Sequence, residues 1–110
     1  MAISHATSGE LIDISPLHEH AKDTVSTTLV RADHIEVFRL VLPAGKFLQE
    51  HKAAGSITIQ CLEGVVELDA HGRTQTLRPG TLVYLDNAQP HAARALEDAS
   101  LLITMLLHRV

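Results

Sequence analysis

Apolar and polar residues alternate along most of this chain, in short segments separated by turn residues. In residues 35–42, IEVFRLVL, positions 36, 38, 40 and 42 form one face, and positions 35, 37, 39 and 41 form the other. A repeat of two residues is typical of a half-buried β-strand. Residues 25–30 before it are rich in β-branched side chains, which favour strands. The pattern predicts a β-hairpin made of these two segments.

The same pattern continues to the end of the chain. Further strands are predicted at residues 10–14, 46–52, 56–62, 65–69, 73–77, 81–85, 91–96 and 100–107. Short strands at such intervals, with turn residues between them, indicate an all-β sandwich or barrel. A helix of at most two turns is predicted near Pro16, with Ser15 as its N-cap.

Length and composition narrow the class of protein. The 110 residues, 45% of them hydrophobic, fit one domain, with an N-terminal arm at residues 1–24 and a barrel at about 25–108. The net charge is −4 and aromatics are 3%, so the basic stripe or stacking surface of a nucleic-acid binder is not expected. No membrane span or signal peptide is expected from the sequence either. The single cysteine fits a reducing compartment, and we expect a cytoplasmic protein.

Two stretches share one layout. Residues 43–64, PAGKFLQEHKAAGSITIQCLEG, and residues 80–91, GTLVYLDNAQPH, each run from a turn glycine through a short strand to a histidine. Gly45 is separated from His51 by five residues, and Gly64 closes the first stretch. Gly80 and His91 have the matching places in the second.

This spacing resembles the two motifs of the cupin family, over roughly residues 40–107. The resemblance implies an all-β jelly-roll barrel, that is a double-stranded β-helix, of the small, single-domain RmlC-like type. It also implies a homodimer. The exposed edges of the arm and of the first barrel strand support that expectation, because unpaired edges invite pairing.

Metal-binding cupins hold their ion with three histidines and one glutamate. At the corresponding positions this chain has His51, Ala53, Ile57 and His91, so two of the four ligands are kept. Catalytic zinc normally has three protein ligands, and non-haem iron has two histidines and a carboxylate. The resemblance therefore implies a degenerate site, with His51 and His91 as the metal candidates for a weakly held divalent ion (Zn, Fe, Mn or Ni).

Alternation places other side chains beside the two histidines. A regular strand that turns His51 inward also turns Phe47 and Gln49 inward and Glu50 outward. The expected pocket combines two imidazoles, an amide, a thiol and small or apolar groups, as a small-molecule site does. The register of the cupin motifs, rather than alternation, implies that Ile57, Ile59 and Cys61 face inward as well. The predicted lining is His51, His91, Gln49, Phe47, Ala53, Ile57, Ile59, Cys61, Ala93 and Ala95.

Three hypotheses about function follow. In the first, the protein binds a small molecule, with a weakly held metal, in the pocket around the two histidines. In the second, it is a metal-dependent enzyme of the dioxygenase or isomerase type with unusual ligands. In the third, it is a sensor or structural dimer whose cavity is filled by side chains. The other histidines have a simpler interpretation as solvent-facing residues, and Cys61 as a small buried hydrophobic residue.

Overall fold

A computed structural model describes residues 5–19, 25–52, 55–86 and 89–107. The described residues contain nine strands. They are β1 (Thr27–Arg31), β2 (Ile35–Leu42), β3 (Phe47–His51), β4 (Ile57–Glu63), β5 (Val66–Ala70), β6 (Arg73–Leu77), β7 (Leu82–Leu85), β8 (His91–Ala95) and β9 (Ala99–Leu106). Helical structure is limited there to a turn at residues 18–19. The fold is all-β, as predicted, and each predicted barrel strand agrees with an observed strand to within one or two residues.

The strands form two antiparallel sheets. One sheet has five strands in the order β1-β2-β9-β4-β7, and the other has four in the order β3-β8-β5-β6. Strands that are neighbours in a sheet are mostly distant in sequence, which is the arrangement of a jelly roll. None of the helical structure in the described residues is long and apolar enough to cross a membrane.

Inward-facing side chains form rows across each sheet, because paired residues on neighbouring strands point the same way. At one end of the barrel, which we call the open end, Glu36, Met105 and Ile57 form a row on the larger sheet. His51, His91 and Ala70 form the corresponding row on the smaller sheet. At the opposite, closed end the rows are Leu42 with Ala99, and Ala95 with Val66 and Leu77.

The closed end is tightly packed. Val66 and Ala99 have no exposed surface, and Leu42 is 2% exposed. Gly64, between β4 and β5, has a φ of +81°, and a Cβ there would lie 2.3 Å from the backbone oxygen of Asp98. Only glycine combines that φ with such a close approach. The glycine that closes the first stretch is therefore explained by packing at the end away from the histidines.

The turn before β3 fixes where that strand begins. The amide of Lys46 donates to the carbonyl of Pro43, and Gly45 has a φ of +86° at the third position, as in a type II turn. The amides of Ala44 and Gly45 donate to Asp98 Oδ1 and to the carbonyl of Ala95. The turn is thus tied to the closed end, and β3 leads from it toward the open end.

The strand predicted at residues 10–14 is not formed. These residues have no regular ladder, and Ser15 instead donates to Asp13 Oδ1 through both its amide and its hydroxyl. Local side-chain bonds of this kind compete with strand pairing. In the region where a short helix was predicted after Pro16, residues 18–19 form a helical turn, and the part of that region beyond residue 19 lies outside the described residues.

One carboxylate anchors the arm to the barrel. Glu63, at the end of β4, accepts hydrogen bonds from the amides of Leu17 and His18 and from the hydroxyl of Ser100. Burial raises the pKa of Glu63, but these three bonds and the charge of Arg39 together lower it below its ordinary value. Ionised Glu63 therefore holds residues 17–18 against the barrel.

Candidate small-molecule site at the open end of the barrel

His91 begins β8 and is the most enclosed titratable group at the open end. It is 5% exposed, and its Nδ1 lies 3.1 Å from the backbone oxygen of Gln89. Its place in the row between His51 and Ala70 is fixed by ladders on both sides of β8. A central strand that is paired on both edges gives the imidazole a rigid base.

His51 ends β3, an edge strand that pairs only with β8 in the described part of the chain. Leu48 pairs with Ala93, but the next paired residues are His51 and His91, so β3 has one extra residue in this interval. Such a β-bulge reverses the phase of the side chains beyond it. The bulge is what turns Leu48 and His51, three residues apart, to the same side.

The two imidazoles are neighbours. Their ring centroids are 4.3 Å apart, and the ring planes are inclined by 56°. The Nδ1 of His51 lies 3.0 Å from the carbonyl oxygen of Gln49, which parallels the contact between His91 and Gln89. Because a carbonyl oxygen only accepts, each Nδ1 carries the proton in the neutral ring. The Nε2 atom of each histidine then keeps its lone pair.

The electrostatic setting favours neutral His91. Burial lowers its pKa below the ordinary value, the bond to the Gln89 carbonyl opposes this, and the neighbouring His51 lowers it further. Two imidazoles at this distance cannot both hold a proton without repulsion. At neutral pH His91 is therefore a hydrogen-bond acceptor or a potential metal ligand.

An outer cavity of about 430 Å³ opens beside the histidine pair. Both sheets contribute to it. Its lining consists of Glu36, Phe38, His51, Lys52, Ile57, His91, Ile103 and Met105. Ligand sites in proteins typically have volumes of roughly 300–1,000 Å³ with mainly apolar walls and a few polar groups. The outer cavity matches that description.

A much smaller inner chamber, of about 30 Å³, lies on the other side of the imidazoles. It shares His51, His91 and Ile103 with the outer cavity, and its remaining lining is Leu40, Leu48, Ile59, Leu68, Ala93 and Leu101. These remaining groups are all apolar, so a water there would find few partners. The histidine pair thus separates an outer cavity that contains several polar groups from an apolar inner chamber.

Several predicted pocket residues take part in these two spaces. Ile57 lines the outer cavity, whereas Ile59 and Ala93 line the inner chamber. Cys61 and Ala95 face the same interior but belong to the packed core nearer the closed end, where each is 1% exposed. The Cys61 thiol donates to the backbone oxygens of Glu63 and Gly64, and burial raises its pKa. Cys61 and Ala95 therefore support the site without lining it.

The expectation that Phe47 and Gln49 face the pocket is wrong, and the bulge in β3 is the reason. Phe47 is 46% exposed, and its ring lies 5.5 Å from the guanidinium carbon of Arg94 on the outer surface. The Gln49 side chain is also exposed, and only its backbone oxygen reaches His51. The predicted pocket residue Ala53 lies outside the described residues.

Glu50 remains outside despite the bulge. It lines a separate, polar surface groove of about 420 Å³ near the turn between β5 and β6, together with residues that include Asp69, His71 and Arg73. Within that groove the Thr74 hydroxyl donates to Asp69. The groove contains neither His51 nor His91, so Glu50 supplies no carboxylate to the histidine pair.

Sequence reasoning missed the carboxylate that does reach the outer cavity. Glu36, on β2, lines it together with Phe38, and its side chain is 14% exposed. A signal was present, because alternation put Glu36 on the same face as Phe38, Leu40 and Leu42. A lone acid on an otherwise apolar strand face indicates a polar feature inside the barrel.

The described residues do not fit a tightly held metal ion. The two histidines supply two nitrogen donors, and no group of three or more His, Cys, Asp or Glu side chains suited to a metal occurs in the described ranges. Stable zinc and iron sites need three or four oriented ligands. The imidazoles of the described site can take part in hydrogen bonds, and on their own they supply fewer donors than such metal sites use.

Comparisons with known proteins agree with this geometry. A family model described as a cupin domain matches residues 38–107. The chain belongs to the cupin family. The match begins within β2 and ends just after β9, so it covers the histidine strands and most of the barrel. No curated protein matches the chain.

Solved structures share the fold of this cupin. A conserved protein of unknown function from Streptococcus pyogenes is 21% identical, with a TM-score of 0.77 and all of both chains covered. A cupin superfamily protein from Desulfitobacterium hafniense is 17% identical, with a TM-score of 0.73, covering 76% of this chain and 77% of the other. An RmlC-like cupin from Shewanella frigidimarina is 17% identical, with a TM-score of 0.71 and 76% of each chain covered. At these identities the likeness shows the fold alone.

Proposed function

We propose that the outer cavity is a small-molecule binding site in which His51 and His91 are hydrogen-bonding groups. The observation that carries this proposal is the pairing of the two rings at 4.3 Å, each with Nδ1 held by a backbone carbonyl. A hydrogen bond between Nδ1 and a backbone carbonyl fixes the tautomer and the orientation of an imidazole. Both rings also border a cavity large enough for a ligand.

Ligand-observed NMR with a set of neutral diols and phenols tests this proposal. We expect several compounds to bind the native protein and to compete with one another. His91→Leu should abolish their binding, because it removes an acceptor and reshapes the cavity. His71→Leu is the matched control, since His71 lies in the surface groove. Absence of binding, or binding that His91→Leu leaves unchanged, would contradict the proposal.

We propose further that a divalent metal is held weakly in the native protein. The supporting observation is the two-nitrogen donor set, which lacks a third described ligand. Dialysis without chelator should leave far less than one equivalent of Zn, Fe, Mn or Ni, measured by elemental analysis. The double change Ala53→His with Ile57→Glu should retain about one equivalent, because it adds two of the missing ligands.

Each outcome of that comparison is informative. If the native protein keeps a full equivalent, it has ligands that the sequence did not reveal, and a metal-dependent cupin enzyme becomes the better hypothesis. If the folded double variant binds no metal, the two added side chains do not complete a ligand set around the histidine pair. Its apo form should be less stable than the native protein, since it buries a carboxylate without a partner.

We also propose that the protein is a homodimer. The edge of β1 is partly occupied within the chain, because the Ala6 amide donates to the Leu29 carbonyl there, so this edge supports a dimer less than expected. The outer face of the larger sheet supports a dimer more strongly, because Tyr84 and Leu106 border an apolar groove there and are 64% and 52% exposed. Light scattering should give about twice the 12.0 kDa monomer mass. Tyr84→Lys should lower it to the monomer value.

A further inference from the structure

Glu36 is an unusual charge for the inside of a small barrel. Its side chain is 14% exposed, and its Oε1 accepts a hydrogen bond of 2.9 Å from Nε of Arg31. Its second oxygen has no hydrogen bond or ion pair with any described residue. Burying a carboxylate costs free energy unless partners satisfy it. The only buried side-chain polar atom without a partner in the described residues is Nε of Arg39, so the second oxygen of Glu36 is open to the cavity rather than sealed in the core.

The position of Glu36 places its charge in the outer cavity. It is in the same row as Met105 and Ile57, two strands away from Ile57 across the larger sheet. Strands are about 4.8 Å apart in a sheet, so the Cα atoms of Glu36 and Ile57 are separated by roughly 10 Å. The histidine pair lies on the facing sheet. The cavity therefore has a carboxylate on one wall and two imidazoles on another.

Hydrogen-bond acceptors predominate among the polar side chains that line this cavity. The Nδ1 protons of both histidines are already donated to backbone carbonyls, which leaves Nε2 as an acceptor in each ring. The Glu36 carboxylate also accepts. Lys52 is the one donor among the described side chains of the lining, and it is exposed at the rim, where its ammonium group can stay in water.

We propose that the ligand of this cavity is a small organic cation, whose ammonium group pairs with Glu36 and whose other end donates a hydrogen bond to the histidine pair. This rests on the proposed small-molecule site and names its ligand class. Phe38, Ile57 and Met105 supply the apolar surface for the body of such a ligand. An aromatic ring beside an ammonium group adds favourable electrostatics.

Arg31 has a defined place in this proposal. It is 62% exposed and competes with the ligand for Glu36. An exposed ion pair contributes little to stability, so an incoming ammonium can displace the guanidinium at small cost. Removal of Arg31 should therefore strengthen cation binding, whereas a purely structural role for the Glu36–Arg31 pair predicts no gain.

Three probes of equal length test the proposal. They are 4-aminobutan-1-ol, a cation at neutral pH, 1,4-butanediol, which is neutral, and 4-hydroxybutanoate, an anion. Binding to the native protein is measured by NMR titration of the His51 and His91 ring resonances. We expect the cation to bind at least about tenfold more tightly than the diol, as a charged hydrogen bond allows, and the anion to bind most weakly.

Four variants separate the possible causes. Glu36→Gln should reduce affinity for the cation about tenfold and change affinity for the diol less than about twofold. Arg31→Gln and Lys52→Gln should each raise affinity for the cation. Glu50→Gln is the matched control, because it removes an acid from the neighbouring groove and not from the cavity. Thermal melts verify that each variant is folded.

Different results would overturn the ligand class and the proposed site. If the diol shifts the histidine resonances but the cation gains no advantage, or Glu36→Gln leaves that advantage intact, the ligand class is wrong and the site stands. If no probe shifts the resonances of either ring at concentrations up to about 50 mM, where even a weak ligand would bind, both the ligand class and the proposed site are overturned.

Discussion

The open and closed ends of this barrel are made by the same strands but have opposite properties. At the closed end, Leu42, Val66, Leu77, Ala95 and Ala99 are at most 3% exposed, and the described residues there leave no cavity comparable to the outer one. At the open end, the inward positions of β2, β3 and β8 are taken by Glu36, His51 and His91. Alternation is continued at both ends, and only the residue types at its inward positions change.

The comparison shows how one small barrel provides both stability and a site. Close packing at the closed end contributes to the free energy of folding, because its apolar side chains are almost fully removed from water. At the open end, polar side chains occupy inward positions, so less apolar surface is buried there and a cavity remains. Substitutions should therefore affect stability at the closed end and binding at the open end.

Gly64→Ala should have the largest effect on stability. The new Cβ would lie 2.3 Å from Asp98 O and 2.7 Å from Ala99 Cα, at a φ of +81°. Backbone must shift to relieve the overlap, and we expect a loss of about 3–5 kcal/mol in the free energy of unfolding. Urea denaturation measures it. Gly45→Ala is the control, since it has a similar φ and no atom within 4 Å of its Cβ, and should cost about 1 kcal/mol.

The next largest effect is expected from a cavity at the closed end. Leu42→Ala removes one of the largest fully buried side chains and should cost about 3 kcal/mol. Met105→Ala removes a side chain that already borders the outer cavity, so it should cost less than about 1.5 kcal/mol. Similar losses in the two variants, measured by thermal or urea denaturation, would remove the proposed difference between the ends.

Loss of the Glu63 anchor should have an intermediate effect. Glu63→Gln weakens the bonds to the Leu17 and His18 amides and to Ser100, and we expect a loss of about 2 kcal/mol. The folded pKa of Glu63 is below 4.5, so its contribution is complete above pH 4.5 and disappears as pH falls through the folded pKa. Urea denaturation should show the variant and native protein converging in acid. Equal losses at pH 7 and pH 3 would contradict this role.

The smallest effect on stability is expected from the protonation of His91. Its pKa in the folded state is below the ordinary 6.5, so the unfolded chain takes up a proton first as pH falls. Stability should be complete above pH 6.5 and decrease as pH falls from there to the folded pKa. The groups facing His91 are His51, Glu36 and Lys52 across the cavity and the Gln89 carbonyl. NMR titration of its ring gives the pKa, and a value above 6.5 would contradict the role of burial.

Much of this fold could be predicted from local sequence. The alternation in residues 35–42 predicted the bounds of β2 as observed, because side chains in a strand must point alternately to core and solvent. The turn residues on either side of residues 73–77 predicted the bounds of β6. The glycine-to-histidine spacing identified the two histidines that are now seen side by side. In both cases neighbours in sequence carry the information.

The arm is a case in which local pattern misled. Residues 10–14 alternate as a strand does, but they have no ladder, and the chain is held instead through Glu63, some 46 residues from Leu17. Ladder partners come from distant parts of a chain, so alternation alone cannot supply them.

The sequence by itself determined the all-β class, the strand order along the chain and the identity of His51 and His91. Tertiary structure alone decided which side chains join them. One extra residue in β3, visible only against its pairing with β8, sends Phe47 and Gln49 outside and brings Leu48 in. The pairing of β2 with β9 and of β9 with β4 brings Glu36 into the row of Ile57. Register is a relation between strands, so no single strand contains it.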